Sequence, residues 1–271
     1  MANKKMDEKL KAFVTACEEA NLPSELEALF AEDSGKGFEE VTSSDIQIPF
    51  LRMIQQMSPQ INKKEASYIE GAGGGDIFNT VTNKYWEGSE GVVVIPVYFQ
   101  MKLLEFVPRD QGGGFVGELS AASEEVRTAT RDQGTGMEML VSGNELVRTA
   151  QHYIKIVHED GSLENAIVDM KKTQLKKSRL WVSMMTMQKR NGKTLPSYAC
   201  TYRLKTVEDG NDKGSWNTWS VAHEGMIPGI EAYNDCKELH GSISSGALKI
   251  APPPSEELLT GPSTTDEDIP F

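Results

Sequence analysis

Apolar residues recur along this chain at two spacings, and the spacings change in a definite order. Near the start, Leu10, Phe13, Val14 and Cys17 fall at helical spacing, and Pro23 restarts a helix through Leu26, Leu29 and Phe30. Residues 1–45 therefore read as an N-terminal helical extension, ending in an acidic stretch with Gly and Ser. Ile46 to Met57 is apolar until Ser58-Pro59 breaks it. Gly71-Ala72-Gly73-Gly74-Gly75-Asp76 then invites a phosphate-loop reading, but no Gly-Lys-Ser/Thr comes after it. A sharp turn between strands is expected there instead.

From Gly91 the period shortens. Gly91 to Val107 carries the strongest strand signal, too long for one flat strand, with Pro96 implying an edge or a bulge. Residues 109–145, rich in Gly, Ser and Thr, form a long excursion of the kind that is functional or mobile. Glu145 to His158 alternates as a strand, Asp160-Gly161 is a hairpin turn, and Ser162 to Met170 returns. Thr173 to Gln188 reads as a helix with Lys176 and Arg179 on one side and Lys177 toward another. Leu175, Leu180, Trp181, Val182, Met184, Met185 and Met187 cover most of the remainder, so this helix is predicted to be largely buried. Asn191-Gly192 turns the chain, Ser197–Val207 and Gly214–Ala222 are strands around a 208–213 turn, and Pro228–His240 is a short helix.

The predicted class is mainly β with flanking helices (α+β). Strand, long loop, strand, hairpin, strand, helix, strand, turn, strand matches an OB-fold-like five-stranded Greek-key barrel over residues 46–250. A generic antiparallel sandwich fits the same elements.

Charge sharpens this picture. The chain of 271 residues has 28 Lys+Arg against 40 Asp+Glu, a formal net charge of −12. Met170 to Val207 contains ten cations (Lys171, Lys172, Lys176, Lys177, Arg179, Lys189, Arg190, Lys193, Arg203, Lys205) and no Asp or Glu, so the rest carries −12 − 10 = −22. Trp181, Tyr198 and Tyr202 are interleaved with those cations. Cations that neutralise phosphates beside rings that stack on bases suit single-stranded nucleic acid; a solvated charged face over core aromatics is the bland counterpart. The candidate DNA-binding residues are Lys171, Lys172, Lys176, Lys177, Arg179, Lys189, Arg190, Lys193 and Arg203 for phosphates. Tyr198 and Tyr202 are the first candidates for bases, followed by Trp181, Trp216, Trp219, Tyr85 and Trp86. Trp181 fits the core better than a stacking platform.

From Pro252 the composition changes again, to prolines, then Ser, Thr and Gly, then acids, so residues 251–271 read as a disordered acidic tail. Its end places Ile269 and Phe271 after three acids, as a bait for an apolar pocket ringed by Arg or Lys. Asp266-Glu267-Asp268-Ile269-Pro270-Phe271 resembles the Asp-Asp-Ile-Pro-Phe tip of bacterial single-stranded DNA-binding proteins, with Glu for Asp before the final acid. With the strand order, the chain resembles a phage-type single-stranded DNA-binding protein, although its body is longer than the bacterial one. The resemblance implies a non-enzymatic protein that coats and protects single strands in replication, recombination or repair. It also implies recruitment of a polymerase, helicase-primase, recombinase or exonuclease through Asp266–Phe271. A protein-binding scaffold or an annealing or nuclease accessory protein are the alternatives.

Other chemistry has little support. His152, His158, His223 and His240 are scattered, and Cys236 and His240 form only half of a zinc pattern, so no metal and no cofactor are expected. No Gly-x-Ser-x-Gly, His-Glu-x-x-His or Walker motif occurs. Three dispersed cysteines fit a reducing cytoplasm, that of the host for a phage protein. No run of 18 apolar residues suggests a membrane span. Homo-oligomerisation is left open.

Overall fold

The computed structural model describes residues 24–41, 47–134, 136–211, 214–246 and 248. The chain divides into two compact units, Met1–Asp45 and Ile46–Phe271. In the first, helix α1 (Ser24–Glu32) comes after Pro23, whose fixed φ suits a helix start. The apolar pattern at Leu10–Cys17 and the tail over 251–271 lie outside the described residues.

The second unit is mainly β, a curled antiparallel sheet with a few helices. It opens with a small antiparallel sheet of β1 (Leu51–Met53), β2 (Ile77–Asn79) and β3 (Tyr85–Trp86). The glycine run makes the turn into β2: Gly75 adopts φ +98°. The Asp76 carboxylate accepts hydrogen bonds from the amides of Gly73 (2.8 Å) and Gly88 (3.1 Å), so an internal acid fills donors that a phosphate loop would offer a ligand.

Strand β4 (Val92–Phe106) is a single element of fifteen residues. Pro96 sits at a bulge, where the register against the next long strand shifts between Pro96 and Tyr98. The 109–145 excursion has structure of its own: β5 (Phe115–Glu118), α2 (Glu124–Thr128), β6 (Thr130–Arg131) and β7 (Glu138–Met139). Then come β8 (Glu145–Val157), β9 (Leu163–Lys171), α3 (Leu175–Met187), the small hairpin β10 (Lys189–Arg190) and β11 (Lys193–Thr194), β12 (Cys200–Asn211), β13 (Gly214–Met226) and α4 (Ile230–Ser244). The long strands lie in the order β13-β12-β4-β8, with β9 on the other edge of β8.

Period-two alternation sends Ala150, His152, Ile154 and Ile156 of β8 to the inside of the curl. There they meet Val94, Met170, Tyr202, Leu204 and Trp219, with Trp181 and Met185 of α3 packed among them. Helix α3 thus plugs the curled sheet. The small sheet bonds to both ends of it: Ile167 of β9 donates to the Pro49 carbonyl at 2.9 Å, and Asn217 of β13 donates to Gln55 Oε1 at 2.9 Å. The Thr206 amide of β12 donates to the Gly88 carbonyl at 2.9 Å. A Cβ at Gly88 would fall 2.0 Å from both the Gly75 carbonyl oxygen and Thr206 Oγ1, so only glycine fits this crossing.

The outer face of β4 is covered by α4. Cys236 packs against Ile95 and Val97, Tyr233 meets Tyr198 at 5.2 Å between ring centroids, and Lys155 Nζ pairs with Asp235 at 2.6 Å.

Helix α3 is less buried than its apolar content predicts. Ser178, Trp181 and Met185 are buried, but Leu180 is 53% and Met187 74% exposed. Its apolar residues outnumber the places available in the curl, so two of them face solvent.

Candidate nucleic-acid interface

The turn out of β9 positions the cations. Lys172 takes φ +50°, a left-handed conformation that leads the chain from the strand into α3. Helix α3 buries one stripe, so Lys176 and Arg179, two and six residues away from the buried Ser178 and Met185, face outward. The β10–β11 hairpin then presents Lys189, Arg190 and Lys193, all exposed, around a two-residue turn with Asn191 at φ +51° and Gly192 at +76°. Thirteen residues separate Lys176 from Lys189, so the stripe runs on the order of 20 Å at helical rise. Among the described residues, Lys176, Lys177, Arg179, Lys189, Arg190 and Lys193 pair with no acidic side chain.

The other candidate cations are engaged. Lys171 Nζ lies 5.9 Å from the centre of the Phe106 ring. Lys172 Nζ is 3.3 Å from Glu145 Oε1. Arg203 reaches across to the neighbouring strand and holds Glu224 with two bonds, Nη2 to Oε1 at 2.6 Å and Nε to Oε2 at 3.0 Å. That contact raises the Arg203 pKa and lowers that of Glu224.

The rings lie elsewhere. Trp181 and Tyr202 are fully buried and Trp219 is 2% exposed, so these three candidate platforms present no face to a ligand. Their apolar area is used by the core, where Trp181 stacks on His152 and meets Tyr202 edge-on. Tyr198 is half-buried against Tyr233 and His240. Trp216 is partly exposed opposite Asp209, near the β12–β13 turn. Tyr85 and Trp86 sit on β3, where Lys84 Nζ lies 5.5 Å from the Trp86 ring centre and His158 stacks at 6.4 Å. His158 lies just past the end of β8 opposite to Glu145, thirteen residues and on the order of 40 Å along the strand.

Next to the free cations lies a cleft of about 310 Å³. One wall is the β6–β7 arm with Arg131, Met137 and Glu138; the floor is the start of β8 with Glu145, Leu146, Val147 and Arg148. Lys172, Leu175, Lys176 and Arg179 form the third side. Five cations against two carboxylates give the lining a formal charge of +3. Arg148 Nε donates to both oxygens of Glu138, at 3.0 and 2.9 Å.

Arg131 and Arg148 are functional candidates that the sequence reading lacks. Neither belongs to a dense run of cations, and neither borders Met170–Val207 in the chain. Only the antiparallel return of β9 along β8 brings Arg148 beside Lys172; Thr149 pairs with Lys171. The one available signal was the length of the 109–145 excursion.

Among the described residues no helix is long and apolar enough to cross a membrane, and no group of three or more His, Cys, Asp or Glu is placed to hold a metal ion. A family model described as Pam3 phage gp34-like protein matches residues 18–249. No curated protein and no solved structure matches the chain.

Proposed function

This chain belongs to the Pam3 phage gp34-like family, and from that premise we propose that it binds single-stranded DNA without sequence preference. The observation that carries the reading is the run of cations along α3 and the β10–β11 hairpin that have no acidic partner among the described residues, on a chain whose remaining residues are strongly acidic. An overall negative protein with one cationic face repels DNA everywhere but there.

The strand order supports an OB-like barrel. With β4, β8, β9, β12 and β13 as first to fifth strands, the order is 5-4-1-2-3. Its 4-1-2-3 part is a Greek key, and α3 stands between the third and fourth strands. Such barrels bind oligonucleotides across strands 2–3 and the loop joining strands 1–2. Here those are β8, β9 and the 109–145 excursion; the excursion and the start of β8 line the cleft, and the turn that leaves β9 closes it.

The tip Asp266–Phe271 recruits a replication or recombination enzyme, on the strength of its likeness to the bacterial tip. The chain itself acts without catalysis.

Fluorescence anisotropy of labelled oligo-dT, oligo-dC and duplex of equal length tests this. Binding that favours single strands, tolerates both sequences and weakens with salt is expected. Equal or stronger binding of duplex, or none of either strand, overturns it. Removing Ser263–Phe271 should keep or tighten strand binding.

One observation favours a second reading. Trp181, Tyr202 and Trp219 are buried away from the cations, as in a face built for charge alone. An adaptor for an acidic protein would look the same, and it would leave all the oligonucleotides unbound.

A further inference from the structure

We propose that the cleft between the β6–β7 arm and the β9–α3 junction is a phosphodiester-binding site. In the unbound protein, Glu138 and Glu145 hold the positions that two phosphates take. The proposal rests on the reading of the protein as a nucleic-acid binder and adds which cations meet the strand and which acids occupy them beforehand.

Three observations converge. The carboxylate of Glu138 takes both bonds from a single Arg148 nitrogen, and Glu145 lies 3.3 Å from Lys172 Nζ. A phosphate presents the same arrangement of charged acceptor oxygens as a carboxylate, so each acid stands where a phosphate oxygen would be bound. Both pairs retain contact with water. The Arg148–Glu138 side chains are 44% and 34% exposed, and the Lys172–Glu145 side chains 34% and 16%. Exchange at Arg148–Glu138 therefore strands no buried charge, and a pair this exposed holds weakly; Glu145 is the more enclosed of the two acids.

The arm that carries Glu138 is also lightly built. β6 and β7 are two residues each, and β7 joins β8 through the single register pair Met139–Glu145. A two-stranded ribbon of that size has little stability of its own. It is rooted instead by Leu140, which packs on Leu103 and Leu146. Lys176 and Arg179, without acidic partners among the described residues, border the cleft and join it to the cationic stripe of α3.

The consequence is that these two glutamates weaken strand binding. Removing one takes the opposing acid from its cation, Arg148 or Lys172, which then contributes more counterion release. Glu138→Gln and Glu145→Gln are each expected to tighten binding of a labelled dT oligomer about two- to fivefold. The slope of log K against log salt should steepen by about 0.7 for each. Glu238→Gln, at an exposed position of α4 on the outer face of β4, adds the same net charge away from the cleft and should leave the slope unchanged. Lys176→Ala with Arg179→Ala, two exposed positions, should flatten the slope by about 1.4.

If the native chain binds oligomers while both glutamate variants match it in affinity and slope, the cleft proposal falls and the function stands. If Glu238→Gln acts as strongly as Glu138→Gln, net charge alone is at work and the cleft proposal also falls. If neither the native chain nor any variant binds oligomers, the functional reading fails and takes the cleft with it.

Discussion

The imidazole of His152 lies flat against the indole of Trp181, with ring centroids 4.4 Å apart and planes 22° apart. Its Nε2 is 2.8 Å from Ser178 Oγ, one turn earlier on the same helix. Strand β8 is thereby joined to α3 through a ring stack and a hydrogen bond, both inside the curl. Burial pushes the His152 pKa down to about 3, so the stack is made with a neutral ring.

That depression has a signed consequence. The unfolded chain takes a proton on His152 as pH falls through about 6.5, while the folded chain resists until about 3. The stabilisation is complete above pH 6.5 and is lost as pH falls from there. Between pH 7 and pH 5 the native protein should lose about 2 kcal/mol from this residue, measured by urea unfolding. His152→Phe keeps a flat ring on Trp181 and should remove that part of the pH dependence. An unchanged slope in the variant would show that another group titrates.

Tyr202 separates core from interface. Its ring is fully buried and its hydroxyl has no hydrogen-bond partner. Tyr202→Phe should leave strand affinity unchanged and stability equal or up to about 1 kcal/mol higher, since an unpaired buried hydroxyl is removed. A drop in affinity of the size expected for a stacking ring, about 1–3 kcal/mol, would place Tyr202 on the strand after all.

The paired and unpaired cations should behave differently. Lys189→Ala with Arg190→Ala is expected to flatten the salt dependence of strand binding by about 1.4, two phosphate contacts at about 0.7 each. Arg203→Ala should leave that slope alone, because its guanidinium is held by Glu224. Its cost to stability should be about 1 kcal/mol or less, since the pair is partly exposed. Titrations at three salt concentrations decide both.

Lys172 tests whether its left-handed turn serves binding. Lys172→Gly relieves about 1–2 kcal/mol of backbone strain, and the entropy of glycine and the lost Glu145 pair offset most of it. Thermal unfolding should therefore move little, and the salt slope should stay near the native one, because Glu145 offsets this cation; in a Glu145→Gln background the same change should flatten the slope by about 0.7. A large gain in stability with unchanged binding in that background would make the lysine a structural compromise only.

Gly88→Ala should be the most damaging of these changes. Its methyl meets the Gly75 carbonyl on one side and Thr206 on the other, both at 2.0 Å. Overpacking commonly costs about 1–3 kcal/mol, and here backbone must yield, so the upper end or beyond is expected. Circular dichroism melting of the full chain measures it, and a near-native melting temperature would mean that the crossing relaxes easily.

Local pattern carried the elements because they obey local rules. Alternation in Glu145–Val157, the Asp160-Gly161 turn and the apolar run at Val92–Phe106 each specify backbone direction over a few residues, and each element formed where expected. The concentration of cations in Met170–Val207 was equally plain, since charge is additive along a chain. Which of those cations remain free of acids was decided by neighbours distant in sequence: Glu224 takes Arg203, Glu145 takes Lys172, and among the described residues nothing acidic reaches Lys189 or Arg190. The fate of the rings was decided the same way. Trp181 and Tyr202 could have faced bases or core on local grounds, and burial went to them because a curled sheet needs large apolar volume at its centre. Arg148 reaches the basic segment only because β9 runs back along β8, a pairing that no single stretch of sequence contains.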